Sequence, residues 1–259
     1  MTNEIHSVSI IGSGNVAEAL ALSIAGAWGI ELREVIARNI ERGEQIARQA
    51  SCDFVALGEP VADADLYIIA VSDRAVAEVA EQAELPSESI VVHTAGSVEC
   101  AVLGEGARGV FYPFQTFTAG RRVDMSEVPI FIEGSDEQTT LQLEEFAQQL
   151  TSKVYRADSA RRREIHLAGV FACNFVNALY TIAAERLQQQ EALPFEVLQP
   201  LILETAEKAA EAENPATVQT GPARRGDTQV MEHHLTMLAE QPELQQIYTL
   251  LSQEIFNRR

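Results

Sequence analysis

At 259 residues, with 46% hydrophobic and 22% charged side chains, the chain has the composition of a soluble globular protein and the length at which one core begins to divide into two. Its net charge of -19 is concentrated in the first 155 residues, which hold 9 basic and 24 acidic side chains against 10 and 14 in the remainder. Such a field repels phosphate backbones and anionic lipid surfaces, which excludes nucleic acid and membrane surfaces as expected partners.

Three cysteines, Cys52, Cys100 and Cys173, show neither C-x-x-C nor metal-ligand spacing, so a reducing, cytoplasmic setting and no bound metal are expected. The opening residues carry no basic stretch leading into an apolar one, so no signal peptide is expected. Short β-branched runs then alternate with amphipathic helical patterns. Val8 to Ile11, Val35 to Ala37, Leu66 to Val71 and Ile90 to His93 read as strands, and Asn15 to Ala25, Ile40 to Ala50 and Asp73 to Ala83 as the helices between them. Strands at Gly109 to Tyr112 and Val128 to Ile132, a helix at Glu137 to Leu150 and a last strand near Lys153 to Tyr155 follow. This alternation predicts an α/β fold, a Rossmann-type doubly wound parallel sheet.

Beyond Asp158 only helical patterns follow, at Ser159 to Gln190, Phe195 to Ala212, Asp227 to Ala239 and from Pro242 onward. Residues 1–155 are therefore expected to hold a dinucleotide, and residues 156–259 to form an all-helical domain for substrate and dimerisation. Ile165 to Ala184 has the length of a membrane span, but His166, Asn174, Asn177 and Thr181 interrupt it, which suits a helix buried between protein surfaces. Its apolar character exceeds what the other helices could cover, so a homodimer through this helix is expected.

The first strand runs into Gly12-Ser13-Gly14-Asn15-Val16-Ala17, a G-x-G-x-x-A turn opening the first helix. Gly12 permits the tight turn, Gly14 lets backbone N–H groups approach a pyrophosphate, and Ala17 lets the helix pack close to the sheet. The diphosphate would sit on the helix N-terminus, beside Ser13, Asn15 and Val16. Where NAD sites end the second strand with an acid, this chain has Ala37-Arg38-Asn39. A guanidinium suits a 2′-phosphate, so NADP(H) is the expected cofactor, with Arg38 and Asn39 at its adenosine end and Arg42 as a possible helper. Arg38 also admits the plainer reading of a solvated surface charge. Val71, Ser72, Thr94 and Gly96 fall at strand carboxyl ends, where small residues would let a nicotinamide approach.

These motifs, with Tyr112-Pro113-Phe114-Gln115-Thr116-Phe117, a long helix carrying His166 and Asn174, and Gly221-Pro222-Ala223-Arg224-Arg225-Gly226-Asp227, resemble the Rossmann-like proteins grouped as NADP or deazaflavin-dependent oxidoreductases. Their second domain is similar to the C-terminal domain of 6-phosphogluconate dehydrogenase, and pyrroline-5-carboxylate reductase is a more distant relative. The resemblance spans nearly the whole chain and implies the fold, the cofactor and a dimer through the long helix, but no substrate. Histidine is commoner in that group where Tyr112 stands, which weakens an acid-base role for the position. Dehydrogenases of the wider superfamily use a Lys and an Asn four residues apart on the long helix. With Asn174 as that Asn, the matching residue is Val170, and the only lysines are Lys153 and Lys208.

His166 is then the candidate acid or base, with Asn174 beside it. At 100° per residue His166 and Asn177 share a stripe while Asn174 lies about 80° round, and a histidine satisfied within a helix interface is the other reading. Gln115 and Thr116 are candidates to orient a carbonyl or carboxylate, or are an ordinary loop, and Arg225 suits an anionic substrate. Arg161-Arg162-Arg163 reads as a solvent-exposed face. Three functions remain open on the sequence. They are an NADPH-dependent reductase of a small anionic carbonyl or imine, a non-catalytic NADP(H)-binding sensor or partner-binding dimer, and hydride exchange with a deazaflavin.

Overall fold

The computed structural model describes residues 4–258, apart from the side chains of residues 190 and 191. Residues 1–3, part of the opening segment read as free of a signal peptide, lie outside the described residues. Strands β1 (Ser7–Ile11), β2 (Glu31–Ala37), β3 (Asp53–Ala56), β4 (Leu66–Ile69), β5 (Ile90–His93), β6 (Arg108–Pro113), β7 (Ile130–Gly134) and β8 (Val154–Arg156) form one sheet in the order β3-β2-β1-β4-β5-β6-β7-β8. All neighbours run parallel except β6 and β7, which are antiparallel.

Helices α1 (Asn15–Ala25), α2 (Ile40–Ala50), α3 (Val76–Gln82) and α4 (Glu137–Gln148) cover the sheet. The central strands are buried on both faces, as parallel strands under helices must be: Val8, Ile10, Leu66, Ile68 and Ile69 have no exposed surface. One core packs α1, α2 and α4 against one face through Leu20, Ile24, Ile46 and Phe146, and a second packs α3 against the other through Tyr67, Val76 and Val79. The order reverses between β1 and β4, and ligands bind at such a switch point, beyond the strand carboxyl ends.

The chain divides into two compact units between Asn177 and Ala178. The first holds the whole sheet, helix α5 (Ser159–Gly169) and a π-helical segment, Val170–Phe175; α6 (Val176–Glu191) continues the helix across the division. The second unit is helical, with α7 (Gln199–Glu211), α8 (Pro222–Arg225), α9 (Thr228–Met237) and α10 (Pro242–Asn257). Asp227 caps α9, accepting from the Val230 N–H at 3.2 Å. Between α7 and α9 lie the short α8 and a 3-10 turn, Pro215–Val218.

Three local expectations change. The edge strand β3 has no counterpart among the sequence-predicted elements, because its four residues, one exposed and three half-buried, show neither alternation nor a long apolar run. Arg162 is not solvent-exposed: its side chain is fully buried and ion-paired with Glu133 of β7. It also donates to the Val98 carbonyl at 2.7 Å, the Ala157 carbonyl at 3.1 Å and Ser159 Oγ at 3.2 Å. Finally, the π segment re-phases the long helix. A π turn takes up one more residue than an α turn; discounting that residue brings Asn174 to about 20° from His166 and leaves Asn177 about 80° away.

Candidate active site

A groove of about 890 Å³ runs along the carboxyl ends of the central strands. Gly12, Ser13, Gly14, Asn15 and Val16 form one wall, Arg38 and Asn39 its outer end, and Val71, Ser72 and Gln115 its inner end. Each wall has a local cause. Gly12 sits at φ +140°, where a Cβ would lie 2.2 Å from the Ala70 carbonyl oxygen, so only glycine fits between β1 and β4. Gly14 precedes α1 without a side-chain cap and faces open space. The leading N–H groups of α1 therefore have no side-chain acceptor from the cap, a geometry that fits a diphosphate. Ala17 is fully buried, letting α1 lie close to the sheet.

At the outer end Arg38 Nη1 stands 3.3 Å from Glu78 Oε1, both side chains being about half exposed. Asn39 has a structural task as well: its Oδ1 accepts from the Arg42 N–H at 3.0 Å and caps α2. Arg42 is held by Glu18 and by Gln45, so its guanidinium is engaged away from Arg38. A loop from β6 to β7 leans over the turn, fastened where Asn15 Nδ2 donates to the Phe117 carbonyl at 3.0 Å. Gln115 lines the groove, but its Oε1 accepts from the Thr116 N–H at 2.8 Å; Thr116 is exposed and does not line it.

Past the inner end, four side chains from different elements converge. Tyr112, closing β6, has its hydroxyl 3.1 Å from His166 Nδ1 on α5. Asp73 and Ser97 are hydrogen-bonded to each other through Ser97 Oγ and Asp73 Oδ2. Burial, reinforced by the charge of Asp73, pushes the Tyr112 phenol up to about 12, so it is a protonated donor at neutral pH. The small size of Gly96 has a cause beside the expected cofactor approach: a Cβ there would lie 2.7 Å from Tyr112 Cζ. Thr94 is buried and its N–H donates to the Ile69 carbonyl at 3.1 Å.

Beneath this cluster His93 is fully buried, and desolvation brings its pKa down to about 4. Its Nδ1 accepts from the Ala95 N–H at 3.2 Å, so Nε2 carries the proton and faces the Glu99 carbonyl at 3.3 Å. His93 thus stiffens the strand end that presents Gly96 and Ser97. Asn174 lies in the π segment of the same unit as His166; Arg225 ends α8 in the helical unit. Among the described residues no three His, Cys, Asp or Glu side chains gather as a metal site.

The sequence reading discounted an acid-base role for Tyr112 and did not find its partner, since nothing in its neighbours along the chain announces a histidine 54 positions away. Asp73, Arg74 and Glu78 were likewise unassigned; a following S-D-R after a strand was the available signal.

Residues 7–96 match the family model described as "NADP oxidoreductase coenzyme F420-dependent", and residues 128–255 match "Domain of unknown function (DUF2520)". A Bacteroides fragilis protein described as a "putative NADP oxidoreductase" is 41% identical, with 98% of each chain covered and a TM-score of 0.89. The chain belongs to this NADP oxidoreductase family. Two further structures share the family's fold at lower identity. A Thermotoga maritima protein is 20% identical over 96% of this chain and 99% of its own, with a TM-score of 0.80. A pyrroline-5-carboxylate reductase from Coxiella burnetii is 14% identical over 99% and 97%, with a TM-score of 0.58. No curated protein matches the chain.

Proposed function

We propose that this NADP oxidoreductase family member is an NADPH-dependent reductase of a small carbonyl or imine compound, working as a cytoplasmic homodimer. The observation that carries the reading is that Ser72 and Arg74, which line the glycine-walled groove, flank Asp73, whose carboxylate holds Ser97 and whose charge acts on the Tyr112 phenol beside His166. A protein that only sensed the nucleotide would have no need of a protonated phenol backed by an imidazole.

In this reading the backbone of Ser13 to Val16 holds the diphosphate and Arg38 the 2′-phosphate. The nicotinamide, when bound, supplies hydride to the substrate carbon. The chain's own task is to supply the proton. Tyr112 gives its hydroxyl proton to the carbonyl oxygen or imine nitrogen, and a solvent proton relayed through the two ring nitrogens of His166 restores it, so the substrate gains one hydride and one proton. Asn174, on the His166 face of the re-phased helix, orients the polar group being reduced, with Val71, Ser72, Thr94, Gly96 and Gln115 framing the reacting end. An anionic group on the substrate is the part of the proposal carried by the sequence alone, through Arg225. The pyrroline-5-carboxylate reductase that shares the fold is named for a cyclic imine bearing a carboxylate, in keeping with that class.

The test is titration of the purified chain with NADPH followed by a screen of carbonyl and imine acids, with a deazaflavin as a separate arm. NADPH should raise the melting temperature and be oxidised by at least one carbonyl or imine. Turnover with NADH and not NADPH defeats the cofactor assignment, exchange with the deazaflavin alone replaces the substrate assignment, and tight NADPH binding without any turnover favours the sensor.

A further inference from the structure

Two guanidinium groups and a carboxylate line one groove. Arg38 follows β2 and Arg74 lies in the 3-10 turn Asp73–Ala75 after β4, so the two come from the strands on either side of β1. Both line the groove, as does Glu78. Glu78 lies in the first turn of α3, which follows directly on the 3-10 turn that carries Arg74. It is 3.3 Å from Arg38, and Gln82 Nε2 donates to its Oε1 at 3.1 Å. Arg42, the remaining arginine nearby, is engaged by Glu18 and Gln45.

We propose that Arg38 and Arg74 clamp the 2′-phosphate of NADPH and that Glu78 is a displaceable counter-ion setting the preference for NADPH over NADH. The proposal rests on the nucleotide reading above and deepens it. In the free protein Glu78 is the counter-ion of Arg38; when a 2′-phosphate arrives, a stronger, dianionic acceptor takes both guanidinium groups. The exchange is cheap because the Arg38–Glu78 pair is half exposed and weakly held. NADH brings no charge to draw Arg38 away, so Glu78 stays in place, leaves NADH affinity untouched and, by competing with the 2′-phosphate, tempers the preference for NADPH.

Calorimetric titration of NADPH and NADH into the full chain and its R38Q, R74Q and E78Q variants tests this. R74Q should weaken NADPH about tenfold and leave NADH within about twofold. E78Q should tighten NADPH about threefold without tightening NADH. All three positions are exposed, and melting curves check that the variants fold. If E78Q weakens NADPH, Glu78 orients Arg38 instead of competing for it, and the proposal falls. It falls also if R74Q changes both dinucleotides alike, or neither. NADPH binding that depends on Arg38 but ignores Arg74 and Glu78 overturns this proposal alone; failure of the wild type to bind either dinucleotide overturns it together with the nucleotide reading.

Discussion

Replacing Tyr112 by phenylalanine removes one hydroxyl and leaves the ring that covers Gly96. The fold loses a single exposed hydrogen bond, about 1 kcal/mol or less, while the proposed proton donor disappears. Y112F should therefore lower kcat about 100-fold on whichever carbonyl or imine is turned over, with NADPH affinity unchanged. An equal loss in NADPH affinity would mean the ring positions cofactor and the hydroxyl does no chemistry. His93, by contrast, speaks through stability. Its folded pKa is about 4 against an ordinary 6.5, so the unfolded chain binds the proton first as pH falls. The contribution of neutral His93 is complete above pH 6.5 and is lost between 6.5 and 4, up to about 3 kcal/mol. In urea titrations at pH 7 and pH 4.5, the wild type should lose more stability than H93N does over the same interval. Equal losses would assign the acid sensitivity to carboxylates.

The elements that the sequence made legible are those whose signal is local. A G-x-G-x-x-A turn is readable because each glycine answers to backbone within a few residues or to the next strand, and β4 and β5 are readable because strands buried on both faces are apolar runs. What stayed hidden depends on residues distant in sequence. The triplet Arg161 to Arg163 looks like a charged face, yet consecutive helical residues point about 100° apart, so one of three can turn inward. Arg162 does, tying α5 to Glu133 on β7 and to the Val98 carbonyl after β5. The π segment is equally silent in the sequence and moves Asn174 toward the His166 face. R162M should destabilise the sheet unit by about 3 to 5 kcal/mol, because it leaves the Glu133 carboxylate and the Val98 carbonyl without their partner. Urea unfolding measures it; a loss under 1 kcal/mol would mean that water replaces the guanidinium.

At the scale of the molecule, the decisive feature is the long helix. An 18-residue window within Ser159–Gln189 has a mean hydropathy of 1.6, and none of it is buried in the single chain. Leu167, Phe171, Phe175 and Leu179 recur every fourth residue along it, with Phe171 62% exposed. The helix is long and apolar enough to cross a membrane, so length alone does not choose its cover. Its polar interruptions do: His166 and Asn174 would be stranded in hydrocarbon, whereas a second copy offers the same mixed face in return, as a two-fold interface requires. A homodimer of twice the 28.4 kDa chain mass is therefore the expected species in light scattering across the micromolar range. F171E, which puts a charge in the middle of the stripe, should shift it toward monomer and lower the melting temperature, since a helix left uncovered exposes every one of these side chains to water. A wild-type chain that stays monomeric at all concentrations, or that floats with neutral lipid vesicles, would remove the second copy as the cover.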